Sequence, residues 1–245
     1  MSLKIEHLTG GYGHIPVLKD INFEVASGEI VGLIGLNGAG KSTTIKHIIG
    51  LLTEQKGKIM VDGKTLRESP EAYRQKIGYI PETPILYDEL TLREHIEVTA
   101  MAYDIPMEEA FKRADKLLKT FRLDNKLDWF PTHFSKGMKQ KVMVLCAFLT
   151  QPSVFIIDEP FLGLDPLAIN ALLELMNDMK NEGAAILMST HILATAEKYC
   201  DRFVVLHEGE IRALGSIQDL RQEFELPDSS LDDIYISLTK EAEAL

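Results

Sequence analysis

One octapeptide constrains this 245-residue chain more than any other feature: Gly35-Leu36-Asn37-Gly38-Ala39-Gly40-Lys41-Ser42 fills the pattern G-x-x-x-x-G-K-[ST]. Its glycines let the backbone curl until successive N–H groups point inward at phosphate oxygens. Lys41 adds a point charge suited to β- and γ-phosphates, and Ser42, followed by Thr43, offers a hydroxyl to Mg2+. The pattern works between a buried strand and a helix whose positive end faces the anion. Both flanks are present. Ile30–Ile34 reads as a strand buried on both faces, and Lys41 to Ile49 as a helix closed by Gly50. A chance match would occur in about one chain in a hundred of this length, and few of those would carry both flanks. The residues imply a nucleoside triphosphate site in an α/β fold.

The rest of the chain fits that reading. Leu3, Ile5 and Leu8, then Val17, Ile21, Phe23 and Val25, give alternating strands separated by Gly10–Gly11 and closed by Ser27–Gly28. Lys58 to Val61 with the turn Asp62–Gly63 predicts a hairpin, and Ile77 to Ile80 a strand ended by Pro81. From Thr91 to Thr150 the periodicity becomes helical. Leu92, Ile96 and Thr99 or Ala100 form one stripe, and Ala110, Ala114, Leu117, Leu118 and Phe121 another. After Pro152 strands and helices alternate again, which describes an α/β core with a helical insertion. Val154-Phe-Ile-Ile-Asp158-Glu159 places two carboxylates at the carboxyl end of a buried strand, expected adjacent to Ile30–Ile34, at the edge where open α/β sheets bind ligands. One carboxylate can hold Mg2+, directly or through water; the next can orient or deprotonate the attacking water. Alone, the pair would more simply cap the turn at Pro160. The upstream P-loop reverses that preference.

Bulk properties narrow the function. A formal net charge of −11 argues against a broad nucleic-acid or anionic-membrane surface. Cys146 and Cys200 lack metal-like spacing, and Cys146, inside Val142 to Leu149, reads as a small buried hydrophobe in a reducing cytosol. Residues 1–11 lack a secretory core, and the longest apolar runs are too short to cross a bilayer. If the chain acts at a membrane, another chain must cross it.

With these motifs placed, the chain resembles the nucleotide-binding subunits of ABC transporters over nearly its whole length. Their signature, usually L-S-G-G-Q, stands here as Phe134-Ser-Lys-Gly-Met138, ahead of the Asp158 strand. Gly163-Leu-Asp165 matches the turn after the acidic pair, His191 in Met188-Ser-Thr-His the switch histidine, and Tyr12 the aromatic that stacks on adenine. The match is nearest the Ecs-type transporters of Gram-positive bacteria, through Phe134-Ser-Lys-Gly-Met-Lys-Gln-Lys141, Ile156 to Pro166, Tyr79-Ile-Pro-Glu-Thr-Pro84 and Leu231 to Thr239. Two departures stand out. Glu82 occupies the loop position where the family carries glutamine, which adds negative charge near Asp158 and Glu159 and favours protonation in that cluster. Lys136 and Met138 replace a glycine and the last signature residue, while Ser135 and Gly137 are retained.

The resemblance implies a RecA-like P-loop NTPase core with an antiparallel β subdomain (residues 1–88 and 151–222), an inserted α-helical subdomain (89–150) and a helical tail (223–245). It also implies a cytoplasmic ATPase, peripheral on the inner face of the membrane and bound to an integral membrane permease subunit. Two copies would pack head to tail as a homodimer. Each ATP would then lie between one P-loop (Gly35 to Thr43, with Tyr12) and the other copy's signature residues Ser135 and Gly137, with Asp165 also at the nucleotide. Ser42, Asp158 and Glu82 would hold Mg2+, with Glu159 as base, His191 sensing the γ-phosphate and Lys41 binding it. Direction is implied as export. Read without the family, His191 is a strand-end histidine, Tyr12 a turn residue and Ser135 a helix cap.

Asn125-Lys-Leu-Asp128 spells the guanine-reading N-K-x-D pattern, but Thr120 to Asp124 continues a helix where that motif needs a strand, and no D-x-x-G precedes it. A GTP switch is rejected. The rival class, a soluble ABC-type ATPase acting on DNA or ribosomes, would carry long coiled coils or two such domains; neither appears in this sequence, and the negative charge disfavours a nucleic-acid groove.

Overall fold

Alternation at the amino terminus builds an antiparallel sheet. The computed structural model describes residues 2–243, with side chains to residue 238. Strands β1 (Leu3–Tyr12), β2 (Ile15–Val25), β4 (Lys56–Val61) and β5 (Lys64–Thr65) pair in the order β2-β1-β4-β5. Leu3, Ile5, Leu8, Ile21, Phe23 and Val25 are buried as the alternation predicts, but Val17 is only half-buried and Leu18 takes the core position. The reason is a register shift between Leu8 and Gly11, with Asp20 at φ 54; one irregular residue moves the following side chains to the opposite face.

The second sheet has the order β10-β9-β3-β8-β7-β6. Its strands are β3 (Ile30–Ile34), β6 (Ile77–Ile80), β7 (Val154–Asp158), β8 (Ala185–Ser189), β9 (Arg202–His207) and β10 (Glu210–Gly215). All pairings are parallel except the edge strand β10. Every residue of β3, β7 and β8 is buried, which is why these strands read as unbroken apolar runs. The carboxylate pair is not on a strand adjacent to the P-loop strand. β8 lies between β3 and β7, and its Ser189 is opposite both Leu33 and Asp158. The crevice outside the carboxyl ends of β3, β8 and β7 is the ligand edge of such a sheet.

Helices α1 (Lys41–Ile48), α2 (Pro70–Arg74), α3 (Leu92–Ala102), α4 (Met107–Phe121), α5 (Lys136–Leu149), α6 (Pro166–Asn181), α7 (Leu193–Tyr199), α8 (Ile217–Glu223) and α9 (Leu231–Glu243) complete the described chain. Starts are set by caps: Thr91 and Glu94 form a capping box on α3, Ser135 caps α5, and Asp165 with Pro166 opens α6. α4 ends where Arg122 turns left-handed, so Asn125 to Asp128 follow a helix and begin within a 3-10 turn (Asp124–Lys126), not after a strand. Three apolar cores result. Helices α3 to α6 pack on one face of the parallel sheet, the antiparallel sheet and α1 on the other. A third core joins Ile34, Leu193, Ala196, Phe203 and Leu220 to Leu231 and Ile234 of α9. Burying each of those two tail side chains contributes on the order of 2 kcal/mol to holding α9 on the core. Cys146 is partly buried against the first core.

Candidate functional site

The octapeptide closes as its composition requires. Gly40 is the left-handed N-cap of α1 at φ 113, and a Cβ on Gly35 would lie 2.5 Å from the Leu206 carbonyl, so neither position accepts a side chain without strain. Gly38 is also left-handed, and the Ala39 N–H donates to Leu36. The loop curls around a cavity of about 570 Å3 at the carboxyl edge of the sheet. Gly35, Leu36, Asn37, Lys41, Ser42, Glu82, Glu159 and His191 line it, together with Leu162, Leu193 and Tyr235.

Lys41 is 7% exposed and its Nζ donates to the carbonyls of Gly35 (2.7 Å) and Leu36 (3.3 Å). Burial lowers its pKa, against the raising influence of Glu159, Asp158 and Glu82. Asp158, buried at the end of β7, accepts a short hydrogen bond from the Ser189 hydroxyl. Burial is the main cause that raises its carboxyl above the ordinary range, Glu82 and Glu159 add to this, and Ser189 and Lys41 oppose it. Glu159 adopts φ 47, held there by N–H donation to Ser189. Its Oε2 accepts from His191 Nδ1 at 2.8 Å and from the His191 N–H at 3.3 Å. A carboxylate acceptor assigns the ring proton to Nδ1, which leaves Nε2 as the second ring nitrogen.

The groups fit a magnesium triphosphate. A buried ammonium and a helix N-terminus supply positive charge on one wall, and carboxylates supply negative charge on the other. Among the described residues no group of three or more His, Cys, Asp and Glu side chains forms a metal cage. Mg2+ keeps waters and binds through substrate phosphates plus one or two protein oxygens, which the Ser42 hydroxyl and the carboxylates here could supply.

Not every expected residue lies in this cavity. Tyr12 is 49% exposed; its hydroxyl accepts from Lys46 Nζ at 3.0 Å, beside α1. Thr43 is buried behind the loop. Ser135 Oγ accepts the Met138 N–H, and Asp165 accepts from Ala168 (2.9 Å) and pairs with Lys141 (2.6 Å). A Cβ on Gly137 would lie 2.3 Å from the Gly163 carbonyl, so the turn before Asp165 packs directly on the start of α5. Ser135, Gly137 and Asp165 form a second cluster that does not line the cavity. Leu162, Leu193 and Tyr235 do line it, and no local pattern in the sequence marks them.

A family model for ABC transporters matches residues 18–162, more than half of the chain. The chain belongs to the ABC transporter family. The ABC-type transporter ATP-binding protein EcsA of Bacillus subtilis (strain 168) is 62% identical over 239 residues, which cover 98% of this chain and 97% of that protein. The solved structure of an ATP-binding subunit of an ABC transporter superposes with a TM-score of 0.96 at 58% identity, over 98% of this chain and 100% of the other. A dimeric ATP-binding cassette in a post-hydrolysis state, bound to ADP and Pi, gives 0.79 at 26% identity over 88% and 98%. This chain is therefore an ABC transporter ATP-binding subunit with the P-loop ABC fold, similar to the Ecs-type protein. Among its described residues no helix is long and apolar enough to cross a membrane.

For this ABC subunit, Glu82→Gln is expected to move the acid limb of MgATP turnover to lower pH and to raise the half-saturating Mg2+ concentration. Removing the Glu82 charge lowers the raised Asp158 pKa, so the carboxylate stays ionised to lower pH, while one anionic oxygen that would face the metal is lost. Matched pH–rate profiles and Mg2+ titrations of the two proteins check this; superimposable curves would reject it.

Proposed function

We propose that this subunit hydrolyses ATP at a composite site formed by two copies packed head to tail, and that closing and opening of this dimer drives an integral membrane partner in the export direction. The observation that carries the reading is the split site. One cavity holds a P-loop, Lys41, Glu159 and His191, while Ser135, Gly137 and Asp165 form a separate cluster that a second copy would bring to it.

In this reading the Gly35 to Thr43 backbone cradles the phosphates and Lys41 exchanges its two carbonyl partners for β- and γ-phosphate oxygens. Tyr12 stacks on the adenine. Ser42 and Asp158, with Glu82 beside them, would hold Mg2+, which when bound neutralises phosphate charge. Glu159 takes a proton from the water that attacks the γ-phosphorus in line, and the bond to the ADP oxygen breaks. His191, oriented by its Nδ1–H bond to Glu159, would donate from Nε2–H to the γ-phosphate in its imidazolium form, the form in which both ring nitrogens are donors. Phosphate charge links one copy's P-loop to the other's Ser135 and Gly137; cleavage removes that link and favours the open dimer.

Two features support a membrane partner. The loop after Glu82 exposes Ile85 (76%) and Tyr87 (65%), and Trp129, whose carbonyl accepts the Leu92 N–H, is 43% exposed. Gln140 of α5, fully buried, donates from Nε2 to the Pro81 carbonyl at 3.1 Å, which ties that loop to the helix capped by Ser135. Motion at Glu82 is thereby transmitted to both surfaces. Co-expression with a polytopic permease subunit tests the proposal: a membrane-bound complex with MgATP hydrolysis is expected. Recovery only with DNA or ribosomes would sink the transport reading.

A further inference from the structure

The first turn of α1 closes the phosphate loop, and its last turn reaches the end of β1, where Tyr12 stands. The backbone on both sides of Tyr12 is held. A Cβ on Gly10 would lie 2.5 Å from Cε1 and Nε2 of His47, so β1 rests directly on a buried side chain of α1. A Cβ on Gly11 would lie 2.2 Å from the Ile15 carbonyl oxygen, which shows how closely the two strands of the hairpin approach. Gln55 spans the turn beyond. Its N–H donates to the Thr9 carbonyl at 2.9 Å, and its Nε2 to the Gly13 carbonyl at 2.9 Å. What these contacts do not set is the direction of the Tyr12 ring, which turns about its own side-chain torsions.

Lys46 sets it. Its Nζ donates to the Tyr12 hydroxyl at 3.0 Å and stands 5.3 Å from the ring centroid. The two distances place the ammonium at the hydroxyl end of the ring rather than over its centre, and the half-exposed ring keeps a face for a base. A lysine in the last turn of a helix is ordinarily a solvated charge that favours the helix dipole. Here the ammonium is bound to the phenol, and this hydrogen bond is the main cause that lowers the Tyr12 pKa. Ordering a free aromatic side chain against a ligand costs entropy at the moment of binding; a ring already held avoids most of that cost.

We propose that Lys46 is a positioning residue of the nucleotide site: its ammonium holds the Tyr12 ring by the hydroxyl in the orientation that stacks on the adenine. The inference rests on the ATP-site reading above, in which Tyr12 meets the base. One helix then serves both ends of the nucleotide, the phosphates at Lys41 and the base through Lys46. The two lysines are five residues apart, about 7.5 Å along the helix axis. The span from phosphates to base is thereby set by a rigid helix and not by the hairpin turn alone. A phenylalanine at position 12 would offer the same faces but give Lys46 no oxygen to hold.

The test is Lys46→Met in the full-length protein, which keeps an apolar stem and removes the ammonium. By calorimetric titration, MgATP affinity is expected to fall about three- to fivefold, the scale of one lost hydrogen bond. Magnesium tripolyphosphate carries the phosphates without a base, and its affinity is expected to match that of the parent. Lys46→Arg, which can still donate to the phenol, is expected to recover most of the lost MgATP affinity. Combined with Tyr12→Ala, Lys46→Met is expected to add no further loss. In the nucleotide-free protein, the Tyr12 phenol followed by NMR is expected to titrate at higher pH once Lys46 is methionine. Equal weakening of both ligands would put Lys46 on the phosphates and overturn the proposal, as would additive losses in the double variant. If Tyr12→Ala weakens MgATP binding and Lys46→Met does not, the proposal alone fails. If Tyr12→Ala leaves MgATP affinity unchanged, the stacking reading fails and the proposal with it.

Discussion

Glu159→Gln is expected to bind MgATP with near-parental affinity, to accumulate as a closed dimer, and to turn over at least about a hundredfold more slowly. The substitution is close to isosteric and leaves the loop intact. The left-handed backbone at this residue is set by N–H donation to Ser189, which does not involve the side chain. The His191 Nδ1–H that now meets Oε2 can still donate to the amide oxygen of glutamine. What disappears is the capacity to take a proton from water. Because only a step after binding is lost, affinity and turnover separate, and the ATP that would normally be consumed keeps the two copies joined. Steady-state hydrolysis, nucleotide binding and sedimentation with MgATP measure the three parts. Parental turnover would remove Glu159 as the base, whatever the dimer does.

Lys41→Ala is expected to act one step earlier and lower MgATP affinity by about 10- to 100-fold, with hydrolysis lost at ordinary ATP concentrations. A hydrogen bond to a charged group is worth about 1.5–3 kcal/mol, and roughly 1.4 kcal/mol is a factor of ten. Without nucleotide, Lys41 Nζ sits on the Gly35 and Leu36 carbonyls, and burial has already lowered its pKa. Removing it strands two acceptors but also relieves a buried charge, so the folded protein is expected to lose little stability. Calorimetric titration with MgATP alongside thermal unfolding separates these effects. Unchanged affinity in a folded Lys41→Ala protein would refute the phosphate pocket itself. The two variants also discriminate from each other, since only Glu159→Gln should yield a nucleotide-bound dimer.

Much of this site is legible in sequence because its parts are local. The Gly35 to Ser42 spacing acts through backbone geometry over eight residues, and Val154–Asp158 is an apolar run recognisable as a strand by itself, although its carboxylates read as part of a site only beside the upstream P-loop. Helix starts at Thr91, Ser135 and Asp165 follow from short-range capping chemistry. Reading fails where one residue changes register, as at Val17 and Leu18, because alternation carries no information about a bulge.

The sequence alone determined that this chain has a triphosphate loop on an α/β frame, an acidic strand end and a helical insertion, since each depends on neighbours within a few residues. Only the tertiary structure decided that β8 separates the loop strand from the acidic strand and supplies Ser189 to Asp158. It alone brought Leu162, Leu193 and Tyr235 into the wall of the cavity. The physical reason is that strand order and long-range closure are set by which apolar faces bury one another most completely. That sum runs over the whole fold, and no short stretch of residues records it.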